Sequence, residues 1–289
     1  MHCGVLKAKF VLMLTIIFVV VSILLVGMLI TCWCLVPRLE HFLLFRPVKD
    51  VISTPSDVGI SFDQCHIDTP DGCELIGWHM CPASPVGSVI YFHGNGGNLG
   101  ILIEIFKVLY SNNLQVLAVD YRGYGSSTGT PSEAGLYQDG LATVRYFQDY
   151  IEGGDLPIVY WGRSLGSCVA AYVASQISPD GLILETAFSS KKSLVRHHPI
   201  FRWFHPFSYC KLNTLKYLEG CSSPVLLLHG DQDQTVPLEE GKRLFKNING
   251  PKKFHCVLGA DHINLHRIGG DSYMRQVAQF IDSLSSDRS

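Results

Sequence analysis

The stretch VYWGRSLGSCVA, Val159–Ala170, places Ser164 between two glycines, each two residues away. An apolar run typical of a buried strand precedes Gly162, and a helix-forming run follows the serine. A tight strand–turn–helix bend leaves no room for side chains two residues from the serine, which explains both glycines. Such a bend holds the serine hydroxyl clear of the sheet. Ser164 is therefore a candidate nucleophile, although the short pattern alone also occurs by chance.

Apolar runs and amphipathic segments alternate on both sides of this motif. We predict strands at 88–92, 115–120, 157–161, 181–188, 224–230 and 253–259, with helices at 99–110, 133–148, 165–176, 238–247 and 273–284. A hairpin around the turn Thr69–Gly72 precedes them, because proline and glycine favour a reversal there. The pattern predicts an α/β fold with an eight-stranded, mostly parallel sheet, an N-terminal antiparallel hairpin and helices on both faces. The segment 189–223 interrupts the alternation and is predicted to form a small cap.

Polar residues that could carry chemistry follow several of the predicted parallel strands, and ligands of such sheets bind at these carboxyl ends. Ser164, Asp233 and His262 occur there in chain order. This order predicts a triad with Ser164 as nucleophile, His262 as base and Asp233 as the acid that orients it. Asp231 is the alternative acid, but it is better placed to close its own turn. Asp261 adjoins His262 in sequence, so their side chains diverge.

The loop HGNGG, which starts at His93, is glycine-rich and follows a strand. A dinucleotide fingerprint would need a third glycine at Leu99, and no GKS or GKT follows. We predict instead an oxyanion loop, with backbone N–H donors at Asn95 and Leu165. Calcium binding at Asp231 and Asp233 is rejected, because the required loop pattern fails at the two positions after Gln234. We therefore expect no metal and no cofactor.

No charged residue occurs from Phe10 to Val36, a length that exceeds the about 20 apolar residues needed to cross a bilayer. A cleaved signal peptide would have a shorter apolar region. We predict a tail at 1–9, a transmembrane anchor at 10–36, a juxtamembrane linker at 37–59 and an α/β domain at 60–289. The linker suits either an interfacial segment or a strap packed on the domain. Flanking basic residues slightly favour a cytoplasmic N-terminus and a type II orientation.

The remaining composition limits the partners and leaves some roles open. A formal net charge of −2 gives no reason to expect nucleic acid, and the ten cysteines show neither a CxxC pair nor a zinc pattern. A reduced compartment and a few incidental disulfides both fit that cysteine count. Several polar or aromatic residues have both a structural and a substrate-contacting interpretation: Arg122, Tyr124, Arg163, His197, His198 and Trp203.

Five motifs in order resemble the membrane-anchored branch of the α/β-hydrolase-domain family: His93–Asn98, Asp120–Gly129, Gly162–Ser167, Gly230–Pro237 and Gly259–His262. The resemblance implies esterase, lipase or thioesterase chemistry on an acylated lipid or protein. The N-terminus carries only Cys3 and lacks the cysteine cluster of the branch that removes palmitate from proteins, which argues against that substrate. The alternatives are a non-catalytic binding or scaffold protein on the same fold and a serine peptidase.

Overall fold

A computed structural model describes residues 2–151, 154–196 and 209–286 of the chain. Within these ranges the strands are β1 (Arg46–Pro47), β2 (Asp63–Asp68), β3 (Glu74–Met80), β4 (Gly87–Phe92), β5 (Gly96–Gly97), β6 (Leu114–Val119), β7 (Ile158–Arg163), β8 (Gly181–Glu185), β9 (Val225–Gly230) and β10 (Lys252–Val257). The helices are α1 (His2–Leu44), α2 (Ile103–Ser111), α3 (Glu133–Tyr150), α4 (Leu165–Gln176), α5 (Lys191–Arg196), α6 (Thr214–Leu218), α7 (Leu238–Asn247) and α8 (Leu265–Ser286).

The main sheet has eight strands in the order β10-β9-β8-β7-β4-β6-β3-β2. Neighbours from β10 to β6 pair in parallel, whereas β3 pairs antiparallel with both β6 and β2. The predicted fold, a mostly parallel eight-stranded sheet preceded by an antiparallel hairpin, is confirmed. The six parallel strands point their carboxyl ends to one edge, where the candidate site lies.

Helices cover both faces of the sheet because successive side chains of each central strand point to opposite sides. Along β4, Ile90 and Phe92 enter a buried cluster shared with α3 and α4, whereas Val89 and Tyr91 enter a second one shared with α2 and α8. All four side chains are at most 1% exposed. These continuous apolar strands are what a parallel sheet buried on both faces requires.

The N-terminal helix differs from the sequence prediction at its end. α1 is long and apolar enough to cross a membrane, but it continues past Val36 to Leu44. The chain then turns at the buried Phe45 and forms β1, which pairs in parallel with β5 in a separate two-stranded sheet. The first part of the predicted linker 37–59 is therefore helical, and the segment around β1 is a strap packed against the domain.

Two other elements depart from expectation. α8 begins at Leu265 rather than near Tyr273, and Gly270, with φ of 45°, breaks its regular geometry. The predicted cap contains α5 and α6, while residues 197–208, which include His197, His198 and Trp203, lie outside the described part of the chain. Apart from Cys210, the cysteines whose side chains are described, from Cys32 to Cys256, are free thiols.

Candidate active site

The bend between β7 and α4 holds Ser164 in a backbone conformation that residues other than glycine rarely adopt, with φ of 53° and ψ of −115°. A Cβ atom on Gly162 would lie 2.3 Å from the carbonyl oxygen of Gly166. A Cβ atom on Gly166 would lie 2.0 Å from the carbonyl oxygen of Phe92. Because backbone atoms cannot give way, only glycine fits at both positions of this motif.

The structure brings the three predicted triad residues together. His262 Nε2 lies 3.0 Å from Ser164 Oγ, and His262 Nδ1 lies 2.7 Å from Asp233 Oδ2. The tautomer with its proton on Nδ1 donates to the carboxylate and leaves Nε2 free to accept the serine proton. Ser164 and His262 are partly exposed, whereas the Asp233 side chain is fully buried. A partly exposed hydroxyl backed by a buried carboxylate is the arrangement that nucleophilic catalysis by serine needs.

Backbone amides fix Asp233, the predicted orienting acid, and hydrogen bonds elsewhere distinguish it from the two alternative acids. Asp233 Oδ1 accepts hydrogen bonds at 2.8 Å from the N–H groups of Thr235 and Val236, so its other oxygen is aimed at the imidazole. Asp231 instead accepts the Gly259 N–H at 2.6 Å. Asp261 caps its own turn by accepting the N–H groups of two following residues. Neither alternative acid bonds to the imidazole of His262.

The glycine-rich loop after β4 lies beside Ser164. A Cβ atom on Gly94 would be 3.6 Å from Ser164 Cβ, so the loop passes close to the serine at this point. The carbonyl oxygen of Asn95 accepts the Arg46 N–H at 2.9 Å and the Tyr124 hydroxyl at 2.9 Å. Neither bond consumes the Asn95 N–H. Leu165 begins α4, where helix N–H groups have no partner in their own helix and favour negative charge.

Arg163, the residue between Gly162 and Ser164, points into the protein rather than to the surface. Its side chain is 12% exposed, and Nη2 donates to the carbonyl oxygen of His262 at 3.1 Å. Nε lies 3.8 Å from Oε1 of the buried Glu185. The other oxygen of Glu185 accepts hydrogen bonds from Trp161 Nε1 at 3.0 Å and the Tyr273 hydroxyl at 3.1 Å. Arg163 thus links the histidine loop to a buried carboxylate beneath the site.

A second buried pair lies below the glycine-rich loop. His93 Nδ1 donates to the Gly94 carbonyl at 2.8 Å, and burial lowers the pKa of His93 to about 4. His93 Nε2 lies 3.6 Å from Asp120 Oδ1. Burial raises the pKa of Asp120 to about 7, although the hydrogen bond from the Leu99 N–H opposes this shift. The imidazole that starts the loop is therefore neutral above about pH 4.

The two loop residues with open roles, Arg122 and Tyr124, have different positions. Arg122 is held by two carboxylates: it donates to Asp139 at 2.8 and 2.9 Å and to Asp71 at 2.7 and 3.1 Å. At 6% exposure it orders its loop and is not open to substrate. Tyr124 reaches the glycine-rich loop through its hydroxyl.

Among the side chains that the structure describes, no group of His, Cys, Asp and Glu could hold a metal ion.

Sequence comparisons show that the chain is similar to known hydrolases. A family model described as serine aminopeptidase S33 matches residues 83–216. Lysophosphatidylserine lipase ABHD12 of Gallus gallus is 30% identical over 270 residues, which cover 75% of this chain and 69% of the relative. The Mus musculus protein of that name is also 30% identical, and the match spans 66% of it, just under two thirds. Protein Rv2307c of Mycobacterium tuberculosis is 29% identical to this chain, and the match covers 91% of this chain and 92% of the mycobacterial protein.

Solved structures agree with the fold. The esterase Pf2001 of Pyrococcus furiosus superposes with a TM-score of 0.68 at 21% identity, covering 83% of this chain and 97% of the esterase. An α/β hydrolase of Vibrio vulnificus superposes with a TM-score of 0.66 at 23% identity, and the match covers 78% of this chain and 82% of the Vibrio protein. At such identities the likeness concerns the fold alone.

Proposed function

Because the chain belongs to the α/β-hydrolase-domain family of serine hydrolases, we propose that it is a membrane-tethered hydrolase that cleaves acyl esters or thioesters through Ser164, His262 and Asp233. The observation that carries this proposal is the imidazole of His262, which bridges the Ser164 hydroxyl at 3.0 Å and the buried Asp233 carboxylate at 2.7 Å. A binding or scaffold protein would gain nothing from holding these three groups in a line.

In the proposed reaction, Ser164 Oγ attacks the substrate carbonyl carbon while His262 Nε2 takes the hydroxyl proton. The negative charge that develops on the carbonyl oxygen is held by the N–H groups of Asn95 and Leu165. Collapse of this intermediate expels the alcohol or thiol, which leaves with the proton from His262. Water then attacks the acyl group on Ser164 with His262 again as base, and releases the carboxylic acid. Asp233 keeps the imidazole in the productive tautomer throughout.

The proposed tether is α1, whose uncharged stretch from Phe10 to Val36 exposes its apolar side chains along its length. A tethered active site meets substrates that reside in the bilayer or at its surface. The relatives named lysophosphatidylserine lipases therefore suggest a single-chain phospholipid ester as the substrate class. An acylated protein is the alternative. The type II orientation, with a cytoplasmic N-terminus, belongs to the proposal and rests on the slight charge bias around the helix.

The experiment is fluorophosphonate labelling of the full chain in detergent, followed by a substrate series. We expect labelling of the wild type and none of Ser164→Ala. Ser175→Ala, which alters a serine within α4, the helix that follows Ser164, is the matched control and should label normally. Hydrolysis of lysophospholipids, p-nitrophenyl esters, acyl thioesters and peptide amides then ranks the substrate classes. Labelling that survives Ser164→Ala contradicts the proposed nucleophile, and turnover of amides but not esters would favour a peptidase.

A further inference from the structure

The strap that follows α1 forms a hydrogen-bonded ladder with the glycine-rich loop beside Ser164. The Arg46 N–H donates to the Asn95 carbonyl at 2.9 Å, and the Val48 N–H donates to the Gly97 carbonyl at 3.1 Å. The side-chain amide of Asn98 donates back to the carbonyls of Val48 and Asp50 at 3.0 and 2.9 Å. These contacts span the loop from its candidate oxyanion donor to its last residue.

The loop has little of its own to fix its conformation. Gly94, Gly96 and Gly97 lack side chains, and Gly97 has a φ of 82°. Glycine gives the backbone more freedom than any other residue, so an N–H that must meet a developing charge needs outside support. The strap supplies part of that support through the backbone. The Tyr124 hydroxyl supplies another part, because it donates to the same Asn95 carbonyl at 2.9 Å.

The strap is itself held firmly at the point where it leaves α1. Glu40 is 8% exposed, pairs with Lys191 and accepts the Tyr209 N–H at 3.0 Å, which ties the last turns of the helix to the cap region. His41 Nε2 donates to the Pro131 carbonyl at 2.8 Å, and Phe45 is buried in the core at 3% exposure. The end of the helix and the strap are therefore docked on the domain rather than joined to it by a free linker.

On this basis we propose that the strap Arg46–Val48 is a positioning segment for the oxyanion loop, so that the membrane-proximal chain is part of the catalytic apparatus. This inference rests on the proposed hydrolase function. It assigns the strap no contact with substrate: its backbone sets Asn95 through hydrogen bonds, and Asn95 acts on the reacting carbonyl. The anchor then does more than retain the enzyme at a membrane, because its end helps to build the site.

The test removes one rung of the ladder in the full chain. Val48→Pro deletes the N–H that bonds Gly97, at a side chain that is 47% exposed and contributes little packing. Ile52→Pro is the matched control: it puts proline in the same segment, at a side chain that is 79% exposed. Within the described chain, the Ile52 N–H donates no backbone hydrogen bond. Hydrolysis of p-nitrophenyl butyrate, a soluble ester, keeps membrane access out of the measurement.

We expect Val48→Pro to lower kcat about tenfold with KM within about twofold, less than the about 10²–10³ that follows loss of an oxyanion donor. Its affinity for a boronic acid that mimics the tetrahedral intermediate should fall by the same factor as kcat/KM. If the strap served only stability, Val48→Pro would lower the melting temperature but would leave kcat and the affinity for the boronic acid unchanged at temperatures below the transition. Ile52→Pro should keep the wild-type kcat.

Tyr124→Phe removes a hydrogen bond to the Asn95 carbonyl itself without altering the backbone, and it should also lower kcat. A folded Val48→Pro with wild-type kcat overturns the inference. If Val48→Pro does not fold, an unchanged kcat in Tyr124→Phe overturns it. Failure of the proposed function has a different signature, since the wild type itself would then resist fluorophosphonate at Ser164.

Discussion

Removing the guanidinium of Arg163 should weaken both the fold and the reaction, for separable reasons. Arg163→Met keeps an unbranched apolar stem but leaves Glu185, which is 1% exposed, without its cation. It also removes the hydrogen bond at 3.1 Å to the His262 carbonyl. The first loss acts on stability, because an uncompensated charge stays buried. The second acts on the loop that carries the proposed base.

The magnitude follows from the separation of the charges. Two unit charges at 3.8 Å interact by about 4 kcal/mol at an effective dielectric constant of about 20. Breaking a buried pair from one side typically costs about 3–5 kcal/mol. Trp161 and Tyr273 continue to donate to Glu185, so we expect about 3–4 kcal/mol. For a domain of this size the melting temperature should fall by about 6–16 °C.

The assay is a double-mutant cycle measured by urea unfolding of the detergent-solubilised chain, followed by tryptophan fluorescence. Glu185→Gln keeps an acceptor for Trp161 and Tyr273 without the charge, so the double variant with Arg163→Met should cost about 2–3 kcal/mol less than the sum of the single variants. Arg163→Lys should recover much of the stability but not kcat, because one ammonium cannot serve both Glu185 and the His262 carbonyl. Additive single effects would refute the assigned pairing.

Three further predictions concern the site and its support. Asp233→Asn should lower kcat by about 10⁴-fold by favouring the wrong imidazole tautomer, whereas Asp231→Asn should change kcat little; a comparable loss in both variants would contradict the assignment of Asp233 as the orienting acid. Because the pKa of Asp120 is raised to about 7 in the fold, the folded state holds the extra proton, and this group's contribution to stability falls as pH rises from about 4 to about 7. The melting temperature of Asp120→Asn, relative to that of the wild type, should therefore rise as pH increases from about 4 to about 7. Melting temperatures of the two proteins that change in parallel with pH would contradict this. Gly166→Ala should cost about 3 kcal/mol in urea unfolding, since its Cβ meets the Phe92 carbonyl, and a wild-type transition would show that the bend relaxes.

The strand–turn–helix around Ser164 and the alternation of strands and helices could be predicted because each leaves a local signal in the sequence. Glycines mark the tight bend, and apolar runs mark buried strands. The carboxyl-end rule then selects Asp233 and His262 as candidates without a structure. Their catalytic roles stay a prediction, although the distances between their side chains fit it.

The role of Arg163 could not be predicted, because it depends on which strands are neighbours. Arg163 and Glu185 face each other only because β7 and β8 pair in parallel in the observed register. The docking of the strap could not be predicted either, because the two-residue strand Arg46–Pro47 is too short to show any periodicity and its partner is a pair of glycines. The sequence indicated a strap or an interfacial segment with equal weight, and only tertiary contacts distinguish them.

The most direct test of the central claim is mass spectrometry of the acyl-enzyme. Wild-type protein mixed with excess p-nitrophenyl ester and quenched in acid during turnover should carry the acyl mass on the peptide that contains Ser164. Asp233→Asn, quenched in the same way, should accumulate it more slowly. Acylation of another residue, or steady ester turnover with an unmodified Ser164 peptide at every time point, would contradict the proposed mechanism.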